Sequence, residues 1–251
     1  MRACLGAAMI ILKAFGPFLG SPDASPFVIK VMALLRMADA PHRVERATPF
    51  AGPHQFLPYI VDGDAPIPDS VLIRAHIERA SGIDFDAGLS AAEKAAAHAI
   101  ERMCEDHLYF AMLHARWMED ATFKAGLGRH MFCMVPAPAR PLAKWMLRRQ
   151  NAARLRGQGL GRHSAADVAR MGIADIDALA DLLGAKPFLM GERPCGADAT
   201  VFGMLDAIAT PPLDIALRAA VRRHPNLVAY RDRFARRYFP EQFGEARLRA
   251  A

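Results

Sequence analysis

The sequence predicts an α/β domain over residues 9–82, followed by an all-helical domain over residues 88–240. Two observations lead to this division. Short apolar runs of strand length, bounded by glycine and proline, occur before residue 86, whereas apolar residues recur at helical spacing after it. The net charge of +6 is uneven, since residues 1–85 hold eight Lys/Arg and eight Asp/Glu and the rest of the chain supplies the excess. Pattern and charge therefore both indicate two units with different roles.

Length and composition exclude several classes of protein. A chain of 251 residues can bury a sizeable core without disulfides or a structural metal. With 53% hydrophobic and 23% charged residues it is not a disordered chain. No apolar stretch approaches the length of a membrane-spanning helix. The cysteines are far apart and form no CxxC or zinc-binding spacing, which indicates a reducing, cytoplasmic compartment. They are Cys4, Cys104, Cys133 and Cys195.

The first residues resemble a short secretory signal, because Arg2 precedes the apolar run from Ala3 to Leu12. Lys13 follows that run directly, and no clear small-residue cleavage site comes after it. We therefore interpret residues 9–15 as a buried first strand that ends at Gly16-Pro17.

Further strands and helices complete the N-terminal unit. A helix opens at Ser25, which supplies the N-cap before Pro26 at the first helical position. A second helix follows Asp69-Ser70, where an apolar helical pattern begins. The resulting order is βαβ followed by ββα. The predicted strands cover residues 42–47, 57–61 and 65–68, and the predicted helices cover residues 25–38 and 69–80.

The helical unit begins at Ser90, which is spaced to form a capping box with Glu93. Apolar residues then keep the i, i+3, i+4 spacing of one long helix as far as Ala115. Residues 121–139 are rich in glycine and proline and are predicted to be a loop. The remaining predicted helices cover residues 140–157, 164–183, 198–209, 213–223 and 225–238.

Four strings, in this order and spacing, resemble the glutathione S-transferase superfamily. They are Ser25-Pro26-Phe27-Val28-Ile29-Lys30, Leu57-Pro58-Tyr59-Ile60, Ile67-Pro68-Asp69-Ser70, and Pro187-Phe188-Leu189-Met190-Gly191 leading into Ala197-Asp198-Ala199-Thr200. Two further strings look closer to the branch of failed-axon-connections and metaxin-like proteins. These are Gly161-Arg162-His163-Ser164 and His224-Pro225-Asn226-Leu227. The resemblance covers residues 9–240 and implies an N-terminal thioredoxin-like domain and a C-terminal helical domain of the transferase type.

The resemblance implies that glutathione binds the N-terminal domain. In the family the bond before the proline matching Pro58 is cis, and the residue matching Leu57 offers its amide and carbonyl to the cysteinyl backbone of the ligand. Asp69-Ser70 begins a helix, whose N–H groups and dipole attract an anion. Ser70 would bind the γ-glutamyl carboxylate, and Asp69 would pair with the ammonium group. From the residues alone, Leu57-Pro58 is also explained by a trans proline at a strand edge. Asp69-Ser70 is also explained by a helix-capping pair, which is compatible with ligand binding.

Ser25 is the candidate catalytic residue that the resemblance implies. In serine-type members a hydroxyl near this position hydrogen-bonds the glutathione sulfur, and its donation favours the thiolate. A simple helix cap explains the same residue, and the long loop from Gly16 to Ala24 leaves Ser21 as an alternative hydroxyl. Phe15 has no hydroxyl and Val28 has no thiol, so neither a tyrosine mechanism nor a protein-thiol mechanism fits.

Other polar residues have simpler interpretations. We expect Asp198 to be structural and to bond the N–H near Cys195 at a buried helix start. His107 and His114 lie on one helix face without a metal-binding motif, so we interpret them as interior or cleft histidines and expect no metal.

The helical unit also carries a basic surface. Residues 121–166 hold nine Lys/Arg and no acidic residue. Within this segment, one predicted helix combines several basic residues with the apolar residues Leu142, Trp145 and Met146. A helix of this kind contacts a membrane surface or an acidic partner, or packs on its own domain. No nucleic-acid motif accompanies the arginines of residues 218–237, so we expect no DNA or RNA partner.

Two functions are compatible with these features. In the first, glutathione lies across residues 57–70 beside Ser25, and a small electrophile enters the cleft between the two domains. This transferase would be cytoplasmic and would not contact a membrane. In the alternative, a non-catalytic protein of the same fold uses the basic segment 121–166 for a protein or membrane partner. Family members are often homodimers, although no sequence element specifies a dimer here.

Overall fold

A computed structural model describes residues 9–48, 52–132 and 135–243 of the chain. Within these residues four strands form one mixed sheet in the order β2-β1-β3-β4. The strands are β1 (Ile10–Ala14), β2 (His42–Arg46), β3 (Tyr59–Asp62) and β4 (Ala65–Pro68). Helix α1 (Pro26–Met37) follows β1, and helix α2 (Ser70–Ser81) follows β4. The predicted order, βαβ followed by ββα, is confirmed.

The register of the sheet brings three strand ends together at one end of the sheet. Strand β1 is parallel to β2, with Ile10 opposite His42, and antiparallel to β3, with Lys13 opposite Tyr59. Strands β3 and β4 are antiparallel, with Tyr59 opposite Pro68. The C-terminal ends of β1 and β4 therefore lie beside the N-terminal end of β3.

The helical unit follows the sheet without a further strand in the described residues. Helix α3 (Ala91–Met103) starts at the predicted capping box of Ser90 and Glu93. A π-helical turn over Cys104–Leu108 joins it to α4 (Tyr109–Trp117), so the predicted long helix is continuous but locally widened. The later helices are α5 (Asp120–Ala125), α6 (Leu127–His130), α7 (Arg140–Gln158), α8 (Ala165–Leu183), α9 (Gly196–Ala209), α10 (Ala216–Arg223) and α11 (Pro225–Tyr238).

The segment 121–139 is not the continuous loop that its glycines and prolines predict, because it contains most of α5 and all of α6. Its aromatic residues are buried together. The ring of Phe123 lies 5.6 Å from that of Trp117 and 6.4 Å from that of Phe132. A Cβ at Gly128 would lie 2.8 Å from the Phe123 carbonyl oxygen, so glycine here permits close packing. Burial of aromatic surface thus stabilises α5 and α6, although the glycine content of the segment disfavours helices.

Helix α1 is buried on nearly every side. It packs against α2 and, more extensively, against α9. Val28, Ile29 and Val31 are fully inaccessible to solvent. A Cβ at Gly203 of α9 would lie 2.6 Å from the carbonyl oxygen of Pro26, so the two helices approach too closely for a side chain between them. The N-terminal unit is therefore attached to the helical unit through its own first helix.

Buried charges also join the two units. Lys30 of α1 is 1% exposed, and its Nζ lies 2.6 Å from Glu105 Oε1 and 3.8 Å from Glu101 Oε1. Thr200 of α9 donates its hydroxyl to Glu101 at 3.1 Å, and Arg74 of α2 lies 3.3 Å from the same carboxylate. Removing one partner from such a cluster would leave an uncompensated buried charge, which is strongly destabilising.

Asp198 holds the N-terminal end of α9. Its carboxylate is fully buried and accepts three hydrogen bonds, from the N–H of Leu189 at 3.0 Å, the N–H of Cys195 at 2.8 Å and the hydroxyl of Tyr230 at 2.9 Å. Burial raises the pKa of this carboxyl group. The bond to the Cys195 amide is the one that the sequence predicts.

Two of the cysteines lie in the described residues and form no disulfide. Cys104 and Cys195 are buried free thiols, and burial raises the pKa of both. Cys4, Cys133 and the start of the signal-like run lie outside the described residues. Across the described ranges, no helix combines the length and apolar character needed to traverse a bilayer. The domain bounds of 9–82 and 88–240 stay a prediction.

We predict that Asp198→Ala lowers the free energy of unfolding by about 1–3 kcal/mol, because buried donors lose their acceptor. Asp167→Ala is the matched control, since Asp167 is a half-buried first-turn residue of α8 that accepts from Ser164. We expect the control to change stability by about 0.5 kcal/mol or less. Urea unfolding measures both variants, and equal losses would contradict the buried role of Asp198.

Candidate functional site

The predicted site residues lie at one end of the sheet. Ser25 is the N-cap of α1, after the loop that leaves β1. Leu57 and Pro58 directly precede β3, whereas Asp69 and Ser70 directly follow β4. Because the register places these strand ends side by side, three separate strings of the sequence meet where α1 and α2 begin.

Among the described residues, the main chain of Leu57 has no hydrogen-bond partner at this end of the sheet. The Leu57–Pro58 peptide bond is cis, as the family resemblance implies. Strand β3 begins at Tyr59, two residues later than predicted, since Pro58 has no N–H to donate to the ladder. The N–H and C=O of Leu57 form no hydrogen bond with another residue in the described part of the chain. An unpaired main-chain donor and acceptor at the end of a strand can pair with another extended peptide.

Asp69 and Ser70 form the start of α2. Asp69 is the N-cap, and its Oδ1 accepts the N–H of Val71 at 2.8 Å. Its φ is +67°, a region that residues other than glycine rarely adopt and that is concentrated at functional sites. Ser70 is 4% exposed, and its hydroxyl has no hydrogen-bond partner among the described residues. Asp69 is therefore a cap, and Ser70 leaves a hydroxyl beside the positive end of a helix.

The hydroxyl of Ser25 is also without a partner in the described ranges. Ser25 is half-buried and occupies the N-cap position, but its side chain does not make the capping hydrogen bond. Its main chain is fixed, because its N–H donates to Asp23 Oδ1 at 2.8 Å and its C=O accepts from Ile29 N–H at 3.1 Å. Simple capping thus does not account for this hydroxyl, which lies where the dipole of α1 favours negative charge.

Asp23 organises the loop before Ser25, although no motif in the sequence indicates it. The carboxylate is fully buried and accepts the N–H of Gly16 at 2.6 Å and the N–H of Ser25 at 2.8 Å. The N–H groups of Phe15 and Ala24 also face it. Burial raises the pKa of Asp23 to about 7, against the lowering effect of these hydrogen bonds.

Arg116 of α4 fixes the same loop from the helical unit. It is 3% exposed, and its Nη1 donates to the carbonyl of Ala24 at 2.9 Å while its Nη2 donates to the carbonyl of Ala207 in α9. Its Cζ lies 5.5 Å from the centre of the Phe18 ring. Burial lowers the pKa of Arg116 to about 10, so the group stays charged at neutral pH. The residue before Ser25 is therefore tied to two helices of the other unit.

Ser21, the alternative hydroxyl, has a structural partner. It is 2% exposed and donates to Asp206 Oδ2 at 2.5 Å. Thr210 donates to the other oxygen of Asp206 at 2.7 Å. Ser21 thus attaches the loop to α9, whereas the hydroxyl of Ser25 has no partner among the described residues.

The two histidines of the long helix do not share a site. His107 Nδ1 lies 2.6 Å from Asp175 Oδ2. His114 is 9% exposed, and burial lowers its pKa. In the part of the chain that the structure describes, no group of three or more His, Cys, Asp or Glu side chains is arranged to hold a metal ion.

We predict that Asp23 makes the fold less stable as the pH rises from about 4 to about 7. Its pKa is about 7 in the folded chain, against an ordinary value of 3.8. Between these values the folded state binds the additional proton, so the free energy of unfolding falls as the pH rises and levels off above this range.

Urea unfolding of the unmodified chain and of Asp23→Asn at a series of pH values isolates this contribution. The stability of the unmodified chain minus that of the variant should fall across the range. A difference that is constant, or that rises with pH, would show that Asp23 is already ionised near its ordinary value.

Comparison with known proteins identifies the family. Residues 26–122 match the glutathione S-transferase N-terminal domain, and residues 172–234 match the glutathione S-transferase C-terminal domain. The isoprene-epoxide–glutathione S-transferase of Rhodococcus sp. strain AD45 is 33% identical to the chain over 236 residues, which cover 92% of the chain and 99% of that protein.

Two other relatives confirm the resemblance to the failed-axon-connections and metaxin-like branch. Failed axon connections of Drosophila melanogaster is 26% identical over 88% of the chain, which spans 56% of the fly protein. Human metaxin-2 is 25% identical over 88% of the chain and 84% of its own length. A Pseudomonas fluorescens glutathione transferase family member, solved with two glutathione bound, has a TM-score of 0.60 at 16% identity over 94% of this chain and 92% of that chain. With its thioredoxin-like N-terminal domain and helical C-terminal domain, the chain belongs to the glutathione S-transferase family.

Proposed function

We propose that the chain binds glutathione and joins it, through its thiolate sulfur, to a small electrophile. One observation carries this proposal: three polar groups without partners among the described residues meet at one sheet end. They are the main chain of Leu57, the hydroxyl of Ser70 and the hydroxyl of Ser25. These groups suit the cysteinyl backbone, the γ-glutamyl carboxylate and the thiol of glutathione, respectively. The 33% identity to a glutathione-dependent enzyme over almost the whole chain supports the same function.

Glutathione would bind as an extended segment beside Leu57, at the end of the sheet where β3 begins. Its cysteinyl N–H and C=O would pair with the C=O and N–H of Leu57. Its γ-glutamyl carboxylate would accept from the hydroxyl and amide of Ser70 at the start of α2, where the helix dipole favours an anion. Asp69 would attract the γ-glutamyl ammonium with the carboxylate oxygen that does not cap the helix. The thiol would then lie beside Ser25.

Ser25 would act by stabilising the thiolate of glutathione. A thiol with an ordinary pKa of about 8.5 is mostly protonated at neutral pH, and a hydroxyl donor together with the dipole of α1 lowers that pKa. Asp23 accepts the N–H of Ser25, and Arg116 donates to the carbonyl of the preceding Ala24, so the loop is already fixed and little reorganisation is needed when charge develops. Holding both substrates in one cleft supplies the rest of the rate enhancement.

An epoxide is the first electrophile to test, because the Rhodococcus relative is by name an isoprene-epoxide transferase. In such a reaction the thiolate sulfur attacks one ring carbon, a C–S bond forms and the C–O bond to that carbon breaks. The oxygen keeps the bonding electron pair and takes a proton from water, which gives a hydroxy thioether. A reducing cytoplasm would suit this chemistry, since it keeps glutathione in the thiol form.

An exposed apolar patch favours a second function, that of an interaction protein. Leu142, Trp145 and Met146 of α7 are 60%, 59% and 56% exposed, within the acid-free segment 121–166. An acidic protein, an anionic membrane or a second copy of the chain would cover such a patch. Sedimentation with phosphatidylserine vesicles tests the membrane partner, because electrostatic binding must weaken as salt is raised. No binding at low salt would exclude it.

We predict that Ser25→Ala raises the pKa of bound glutathione by about one unit or more and lowers kcat/KM by about tenfold or more. Thiolate absorbance as a function of pH measures the first effect, and conjugation of an epoxide measures the second. Ser81→Ala is the control, since its hydroxyl bonds the Ile77 carbonyl at the far end of α2. An unchanged thiol pKa with full turnover would remove Ser25 from the mechanism.

We predict that Ser70→Ala weakens glutathione binding by about tenfold or more, because a hydrogen bond to a charged group is lost. Isothermal titration calorimetry of the unmodified chain and the variant measures this loss. If the unmodified chain itself does not bind glutathione, the transferase proposal fails and the interaction function is favoured.

A further inference from the structure

Arg154 of α7 lies among three aromatic rings at the junction of the two units. Its Cζ is 5.4 Å from the ring centre of Phe56, 5.3 Å from that of Tyr109 and 5.4 Å from that of Phe110. Tyr109 and Phe110 belong to α4, whereas Phe56 belongs to the loop before β3. The cation and its rings, here called the Arg154 cage, therefore join α7 and α4 to the N-terminal unit.

The Arg154 cage adjoins the predicted glutathione site through two chain connections. Phe56 directly precedes Leu57, and its side chain is 57% exposed. The ring of Tyr109 packs edge-on against that of Phe27, 4.8 Å away, and Phe27 is two residues after Ser25. The cage is thus placed where a ligand that reaches both Leu57 and Ser25 would extend toward the helical unit.

The guanidinium of Arg154 has unused hydrogen-bond donors. Aromatic rings attract a guanidinium through its charge without using its N–H donors, which lie in its plane. One bond is present, from Nη1 to the Tyr109 hydroxyl at 3.2 Å. Within the described residues Arg154 has no carboxylate partner, unlike Arg148 of the same helix, which lies 2.8 Å from Asp120. A preformed, exposed cation without a counter-charge is suited to a two-point bond with a carboxylate.

We propose that the Arg154 cage binds the carboxylate of a ligand, with Phe56, Tyr109 and Phe110 contacting the apolar part of that ligand. The location rests on the proposed function, because the cage borders the glutathione site. Two molecules supply the required chemistry there: glutathione, through its glycine carboxylate, and a second substrate that bears a carboxylate. The planar guanidinium fork recognises the same group in either molecule.

Paired ligands that differ only in this group test the proposal. The first pair is 2-naphthoate and its neutral isostere 2-naphthamide, which do not require glutathione binding. The second pair is glutathione and glutathione amide, in which the glycine carboxylate is an amide. Calorimetry with the unmodified chain should show at least one carboxylate binding about tenfold or more tightly than its amide.

Arg154→Gln should remove that preference. Arg156→Gln is the matched control, since Arg156 is an exposed arginine two residues further along α7 that touches none of these rings. The control should keep the preference. Arg154→Lys retains the charge without the planar fork, so it should keep only part of it. Circular dichroism melting shows whether each variant is folded, and the Lys variant decides the question if the Gln variant is not.

The pair that responds identifies the source of the carboxylate. A response of the naphthoate pair indicates a second substrate, and a response of the glutathione pair indicates the glycine carboxylate. If the unmodified chain prefers neither carboxylate, or if Arg154→Gln keeps every preference, the cage only attaches α7 to α4 and the proposal is overturned. If the chain binds no glutathione, the proposed transferase fails, while the naphthoate pair still decides the role of Arg154.

Discussion

Helix α1 is enclosed between α2 and α9, and this packing holds the two units and the site in place. Because Gly203 lets α9 approach the backbone of Pro26, the N-terminal end of α1 is fixed by a helix of the other unit. Lys30 extends the same dependence to electrostatics, since its buried ammonium group is compensated by Glu105 of the helical unit. Neither unit can therefore be expected to keep its site geometry alone, and the position of Ser25 is a property of the whole chain.

Local signals in the sequence predict most of the fold. Pro26 after Ser25, the Ser90–Glu93 box and the apolar runs of strand length indicate starts and ends that the structure confirms. Local signals do not predict the helices of segment 121–139, because contacts with the rings of Trp117 and Phe132 stabilise them rather than the helix propensity of their own residues. The sequence does not distinguish a glycine in a loop from a glycine that permits close packing of helices.

The candidate site is predictable only in part. The order of the motifs indicates Leu57, Asp69 and Ser70 as site residues. Their proximity depends on the register of the sheet, which none of the motifs predicts by itself. The roles of Asp23 and Arg116 depend on contacts with main-chain groups distant in sequence, so spacing gives little sign of them. A charged residue inside the apolar stripe of a long helix, as Arg116 is, was the available signal. Ser21 and Ser25 look alike in sequence and differ only in their partners.

The arginines of the helical unit divide between scaffold and surface. Arg116 and Arg148 donate to main-chain carbonyls and so belong to the fold, whereas Arg154 keeps donors available beside the proposed ligand site. A basic composition is thus a poor guide to partners until each guanidinium is assigned its contacts. The same holds for the open groove of about 820 Å³ along α11 and the end of α10, whose charged lining residues are Arg222, Asp232, Arg233, Arg236 and Arg237. That groove is distant in the sequence from every residue of the proposed site.

Nuclear magnetic resonance of the isotope-labelled chain during titration with glutathione shows directly whether the ligand binds where β3 and α2 begin. We expect the amide signals of Leu57 and Ser70 to shift most, the signal of Ser25 to shift with them, and the signals of α11 to stay in place. Shifts confined to the arginine-lined groove of α10 and α11, or no shifts at saturating glutathione, would contradict this expectation.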